Sequence, residues 1–173
     1  MSELFECWDD AGEYLGLVPR DEVHARGLWH RSAHVLLFNG RDELLIQQRS
    51  PGKDIYPNRW DLSVGEHAQP GESFEAAARR GLAEELGVHG VRLTPLLDVR
   101  RASHRLPELG VHDCELQQSF RAQYDGPVRA DPAEVAAVAW IGLSELSKRV
   151  RAAPDDFTPW FLAELDALAL LPG

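Results

Sequence analysis

The stretch GEHAQPGESFEAAARRGLAEELGV, residues 65–88, constrains the chain more than any other. Ser73 is a good N-cap residue and Gly87 suits the left-handed position that ends a helix, so one helix is predicted between them. Pro70-Gly71 marks the turn that leads into it. Phe74, Ala78, Leu82 and Leu86 recur at i+4 and form a core-facing stripe. Glu85 projects into the angular range of that stripe, while Glu84 lies about 100° away, on the flank nearest Gly81. An unpaired carboxylate on an apolar face is costly to bury, so Glu85 calls for a partner such as a cation. An ordinary Arg80–Glu84 pair at i,i+4, with Glu85 held by a basic loop residue, is the plainer reading of the same acids. Gly81 costs about 1 kcal/mol relative to alanine inside a helix and needs its own reason.

Around this helix the pattern is one of strands. Leu4 to Trp8 and Tyr14 to Val18 flank an Asp10-Ala11-Gly12 turn and predict a hairpin. Ser32 to Phe38 and Leu44 to Gln48 flank Asn39-Gly40, a strong hairpin signal. Short strands are expected at Asp61 to Val64, Leu93 to Val99, Cys114 to Tyr124 and Val135 to Ile141. The loops RSPGKDIYPNRW and RRASHRLPELGVHD separate them, WIGLSEL opens a further helix, and TPWFLAELDALALL is an amphipathic C-terminal helix. No repeat or linker interrupts residues 1–173, so the expectation is one α+β domain with the hairpin and last helix as extensions.

Composition narrows the function classes. A formal charge of −10, with no dense Lys/Arg patch, disfavours a binder of nucleic acid polymers. No apolar run approaches membrane-spanning length, and the acidic N-terminus has no apolar signal core, so no membrane partner is expected. Two cysteines, Cys7 and Cys114, fit a reducing compartment, and the cytoplasm is the simplest assignment. A small phosphorylated substrate stays open, provided divalent cations offset its repulsion by an acidic protein. Trp and Leu positions on the last helix leave a homodimer possible.

Residues 66–88 resemble the Nudix box, G-x5-E-x7-R-E-U-x-E-E-x-G-U with U aliphatic. Glu72, Arg80, Leu82, Glu84, Glu85, Gly87 and Val88 match in register, whereas Glu66 replaces the opening glycine and Gly81 the glutamate after the arginine. The resemblance implies a Nudix fold, a mixed β-sheet sandwiched between helices. It also implies Mg²⁺ or Mn²⁺ bound by Glu84, Glu85 and Glu72, with Arg80 and Glu85 in the catalytic apparatus. Because the missing acid serves some members as general base, the proton must be handled from elsewhere.

The wider chain, from His24 to Trp160, is similar to the type I isopentenyl-diphosphate isomerases of that superfamily. On this resemblance His24, His30 and His67, with Asp113 and Glu115 in HDCELQQSF, form a metal-ligand set. Arg49 and Lys53 are the diphosphate-binding basic pair, and Trp160 is an active-site tryptophan. Imidazoles and carboxylates are suitable ligands for a divalent metal in their own right. His34, His89, His104 and His112 receive no role.

The segment WDLSVGEH departs where the isomerases carry a proton-transferring cysteine: Gly65 has no side chain to move a proton. Cys114 is expected to point away from Glu115, its neighbour on a strand. The resemblance therefore implies a metal-dependent hydrolase of a diphosphate linkage in a small phosphorylated substrate, a nucleoside diphosphate derivative or a related molecule, with Glu115 as catalytic base. The alternatives are an isopentenyl-diphosphate isomerase, or an impaired module that binds a phosphorylated ligand.

Overall fold

The computed structural model of the protein describes residues 3–172. Strands β1 (Leu4–Trp8) and β2 (Tyr14–Pro19) form the expected N-terminal hairpin, followed by helix α1 (Arg20–Arg26). The central strand is β3 (Trp29–Phe38), buried at every position except a half-buried Arg31. It pairs antiparallel with β1 and with β6 (Val64–His67), and parallel with β9 (Val111–Gln123). Strand β4 (Leu44–Arg49) pairs with β5 (Trp60–Asp61) and with β10 (Val135–Ile141). Strands β7 (Thr94–Pro95) and β8 (Arg100–Leu106) add to β9 antiparallel. One parallel pair within an otherwise antiparallel array makes the sheet mixed.

Two departures from the sequence reading have physical causes. The β3–β4 hairpin is paired only at Phe38–Leu44. Beyond that point the Ser63 hydroxyl sits between the strands, accepting from the Leu37 N–H at 2.8 Å and donating to the Leu45 carbonyl at 2.6 Å. Ser63 thereby satisfies backbone groups that a ladder would have used. It also breaks the strand expected at 61–64 into β5 and β6, which go to different partners. The second departure is β8, which occupies the first half of the expected loop RRASHRLPELGVHD. Its alternating half-buried and exposed positions carry Arg, Ser and Arg outward, so an apolar pattern was never there to be read.

Helix α2 (Phe74–Leu86) covers one face of the sheet. The Ser73 hydroxyl accepts from the Ala76 N–H, and Gly87 closes the helix at φ 64°. Ala77, Ala78, Leu82 and Leu86 pack on Ala33, Val35, Leu37, Phe120 and Ala122. Helices α3 (Leu143–Ala152) and α4 (Pro159–Ala167) pack on the opposite face, where Leu36 and Phe38 meet Leu146, Phe161 and Leu165. The architecture is α+β, a mixed sheet between helices. Along the second face of β3, alternate residues read His30, Ser32, His34 before turning apolar at Leu36. A buried row that opens with polar side chains needs a use for them. Among the described residues, no helix is long and apolar enough to cross a membrane.

Candidate metal centre and cavity

The pairing register assembles the site. His30 lies opposite Glu115 and Ser32 opposite Gln117 on β9, while Ser32 faces His67 and His34 faces Gly65 on β6. Because side chains alternate along each strand, His30, His34, His67, Asp113 and Glu115 share one face. His24 reaches the group from α1. Ligand atoms of His24, His30, His67 and Asp113 all lie within 4.8 Å of one another. Asp113 Oδ1 is 3.4 Å from His30 Nε2 and 3.8 Å from His24 Nε2. These three atoms are buried and have no hydrogen-bond partner.

Orphaned buried polar atoms are expensive unless something satisfies them. His30 Nδ1 lies 3.1 Å from the Leu28 carbonyl, which as a hydrogen bond fixes Nδ1–H and leaves an Nε2 lone pair. Burial, then the nearby His67, pulls the His24 pKa down to about 4 and that of His30 to about 3, so both rings are neutral at pH 7. Burial and then Glu115 push the Asp113 carboxyl up. Neutral imidazoles beside a reluctant carboxyl, with donors this close, fit a divalent cation.

Behind the group, His67 Nε2 lies 3.4 Å from Glu115 Oε1. Burial would raise the Glu115 pKa, yet the hydrogen bond from His67 and the neighbouring histidines hold it well below the usual range. His67 shifts the other way: burial opposes its charge, but Glu115 outweighs that and raises it. Phe5 of the N-terminal hairpin stacks on His30 at 5.0 Å and 9° and lies 4.8 Å from His67, forming the wall behind both rings.

Helix α2 borders the same cavity of about 700 Å³. Glu84 and Glu85 line it, apart from the His/Asp group. Glu85 Oε2 accepts from Gln47 Nε2 at 2.8 Å, and burial raises its pKa to about 7. Glu72 is not among the lining residues: Arg80 holds it in a bidentate pair at 2.9 and 3.1 Å, and it accepts from the Gln69 N–H. Arg80 also donates to the His67 carbonyl at 2.8 Å and pairs with Glu66 at 3.1 Å, so it ties α2 to the strand that carries His67.

Gly81 is explained by the same contact. A Cβ there would come within 2.6 Å of Val64 Cγ1 and 3.1 Å of Glu66 Cβ. Glycine lets helix and strand approach, and the carboxylate missing from position 81 reaches Arg80 from position 66 instead.

The basic pair, Arg49 and Lys53, lines the same cavity and is already engaged. Arg49 contacts Asp61 at 3.3 Å and donates to the Ile55 carbonyl, with its guanidinium 5.2 Å from the Trp160 ring centroid. Lys53 is ion-paired with Glu134. Altogether ten carboxylates face four guanidinium or ammonium groups, those of Arg20, Arg49, Lys53 and Arg80. Such a cavity accepts a polyanion only with cations.

The NUDIX domain family matches residues 28–161. The chain belongs to the NUDIX family. Over 165 residues it is 38% identical to the isopentenyl-diphosphate Delta-isomerase of Streptomyces coelicolor, a match covering 95% of this chain and 82% of that protein. The enzyme of the same name from Nocardia farcinica is 36% identical, with 95% and 93% covered. Among solved structures, DR0079 from Deinococcus radiodurans superposes with a TM-score of 0.69 at 26% identity, covering 87% of this chain and 90% of that one.

Within this NUDIX chain, the wall at Gly65 is open. A Cβ there would touch only the His34 ring edge, at 3.7–3.8 Å, which is ordinary contact. His34 was given no role from sequence, but it lines the cavity, 3.9 Å from Glu115 Oε2 and 3.5 Å from Glu164 Oε2. Its even spacing from His30 on a strand was the available signal. Cys114 turns away, toward His112 and Ser103, and is not a lining residue.

Proposed function

We propose that this NUDIX protein is a divalent-metal enzyme of small organic diphosphates, of the short isoprenoid class, and that it hydrolyses the diphosphate linkage. The substrate class draws support from relatives named for isopentenyl diphosphate. Gly65 carries the choice of reaction. A double-bond shift needs proton carriers on two faces of the alkene, and the cavity wall at this position has no side chain.

His24, His30, His67 and Asp113 would hold Mg²⁺ or Mn²⁺, which supplies positive charge against the phosphate oxygens. Glu85, whose pKa of about 7 suits a proton acceptor at neutral pH, takes the proton from water. Glu115, the base and metal ligand expected from sequence, is held well below the usual carboxylate range by His67 and its neighbouring histidines, which makes it a weak proton acceptor. In this reading it orients His67 instead. Glu84 stands at the exposed mouth beside Arg80.

The second reading, isomerisation, is favoured by the relatives' names and by the histidine–carboxylate group. One experiment separates the two. Incubation with isopentenyl diphosphate and Mg²⁺ or Mn²⁺ in D₂O should release phosphate or diphosphate without forming a deuterated allylic product. Deuterium in the allylic isomer, with the diphosphate intact, would establish isomerisation. Binding without either product, across prenyl, nucleoside and sugar diphosphates, would leave only a ligand-binding module.

A further inference from the structure

His112 belongs to neither the metal group nor the box, yet its ring is held at the end of the helix that carries His24. Nε2 lies 2.9 Å from the Ser103 hydroxyl and 3.1 Å from Cys114 Sγ. Ser103 and Cys114 are themselves a cross-strand pair, so the ring is tethered to both β8 and β9. Its other edge bears on Gly27. A Cβ there would collide with His112 Nδ1 and lie 2.9 Å from Cγ, and the three atoms nearest it all belong to His112. Glycine at position 27 thus serves both the left-handed turn at φ 66° and the approach of the ring.

Helix α1 depends on support of this kind. It has seven residues, whereas isolated helices shorter than about 12 residues are marginal in water. Pro19 at its N-cap makes no side-chain bond. Val23 anchors one face among Phe5, Cys7, Val18 and Leu28. At the far end the N–H groups of Gly27 and Leu28 both donate to the Val23 carbonyl, and the Leu28 carbonyl is tied to His30 Nδ1 on β3. The start of β3 is therefore fixed, and what is left to set is the direction in which α1 leaves Gly27. Strand β9 acts on both sides of that turn, because alternate side chains send His112 to Gly27 and Asp113 toward His24, with Asp113 Oδ1 3.8 Å from His24 Nε2.

We propose that His112 is a positioning residue for the metal centre: tethered by Ser103 and Cys114, it sets the angle of α1 at Gly27 and so holds His24 within reach of Asp113 and the ion. The inference rests on the reading of the histidine–carboxylate group as a metal site.

The test measures Mn²⁺ binding, by the paramagnetic resonance of the free ion, in wild type, His112→Ala, Ser103→Ala and His24→Ala, and in His24→Ala combined with each of the other two. His112→Ala should weaken Mn²⁺ about tenfold, and Ser103→Ala less, in the same direction. Once His24 is absent, either change should cost less than about a further twofold, because no ligand on α1 remains to be misplaced. In metal-free protein the His24 ring resonances, assigned by their loss in His24→Ala, should shift or broaden in His112→Ala. Unchanged Mn²⁺ affinity in His112→Ala, or an equal loss with and without His24, would overturn the role at the ion. Unmoved His24 resonances would overturn the hold on α1. If His112→Ala does not fold, Ser103→Ala at its exposed position carries the same comparison, and no loss there overturns the proposal. If wild type binds no Mn²⁺, the metal reading falls and the role at the ion falls with it, while the His24 resonances still decide whether His112 holds α1.

Discussion

His67→Ala should destabilise the metal-free protein by about 3–5 kcal/mol, because it strands the Glu115 carboxylate in a buried site without its hydrogen-bond partner. The pH dependence follows from the two shifts. Glu115 is held below its ordinary 4.5, so its contribution is present above that value and is lost as pH falls toward its folded pKa. His67 is raised above 6.5, so its contribution is full below that value and is lost as pH rises through the folded pKa. The difference between wild type and variant should therefore be greatest between pH 4.5 and 6.5, as measured by urea denaturation at several pH values. Mn²⁺ affinity should fall by at least about 100-fold, since both a ligand and the link to Glu115 are lost. A variant as stable as wild type, with unchanged Mn²⁺ binding, would show that the pair holds neither the fold nor the ion.

Glu85→Gln should act in the opposite direction on stability. Burial raises the Glu85 pKa from 4.5 to about 7, so the folded state holds this proton more tightly than the unfolded chain. Wild-type stability should then decline from pH 4.5 to 7 and level off above that, with a total cost of about 3 kcal/mol. Glutamine keeps an oxygen for Gln47 and carries no charge, so metal-free Glu85→Gln should be more stable than wild type by that amount at pH 8. The gain should vanish near pH 4. Turnover should nevertheless collapse, because the proton acceptor is gone. Equal melting temperatures at pH 8 would show that Glu85 is solvated or compensated in the folded protein.

Helix α2 was legible because its signals are local: Ser73 caps it, Gly87 ends it, and the i+4 stripe sets the buried face on which Glu85 falls. The histidine–carboxylate group was legible only through resemblance, since His24, His30, His67 and Asp113 come from a helix and three strands that meet through register. What was not legible depends on contacts between distant segments. The exchange of Gly81 for Glu66 is visible only once β6 lies against α2. Asp61 reads only as the first residue of a short strand until Trp160 arrives from 99 positions away. Strand β8 lacks an apolar face because it is held by backbone pairing to β9 rather than by core packing. His34 required knowing which row of β3 faces the cavity.

The central claim is that the histidine–carboxylate group, and not the helix acids alone, is a metal site. Anomalous diffraction from crystals soaked in Mn²⁺ tests it most directly. The predicted result is a peak among His24, His30, His67 and Asp113, with or without a second at Glu84 and Glu85. A peak confined to Glu84 and Glu85 at saturating Mn²⁺, with none at the histidines, would contradict it.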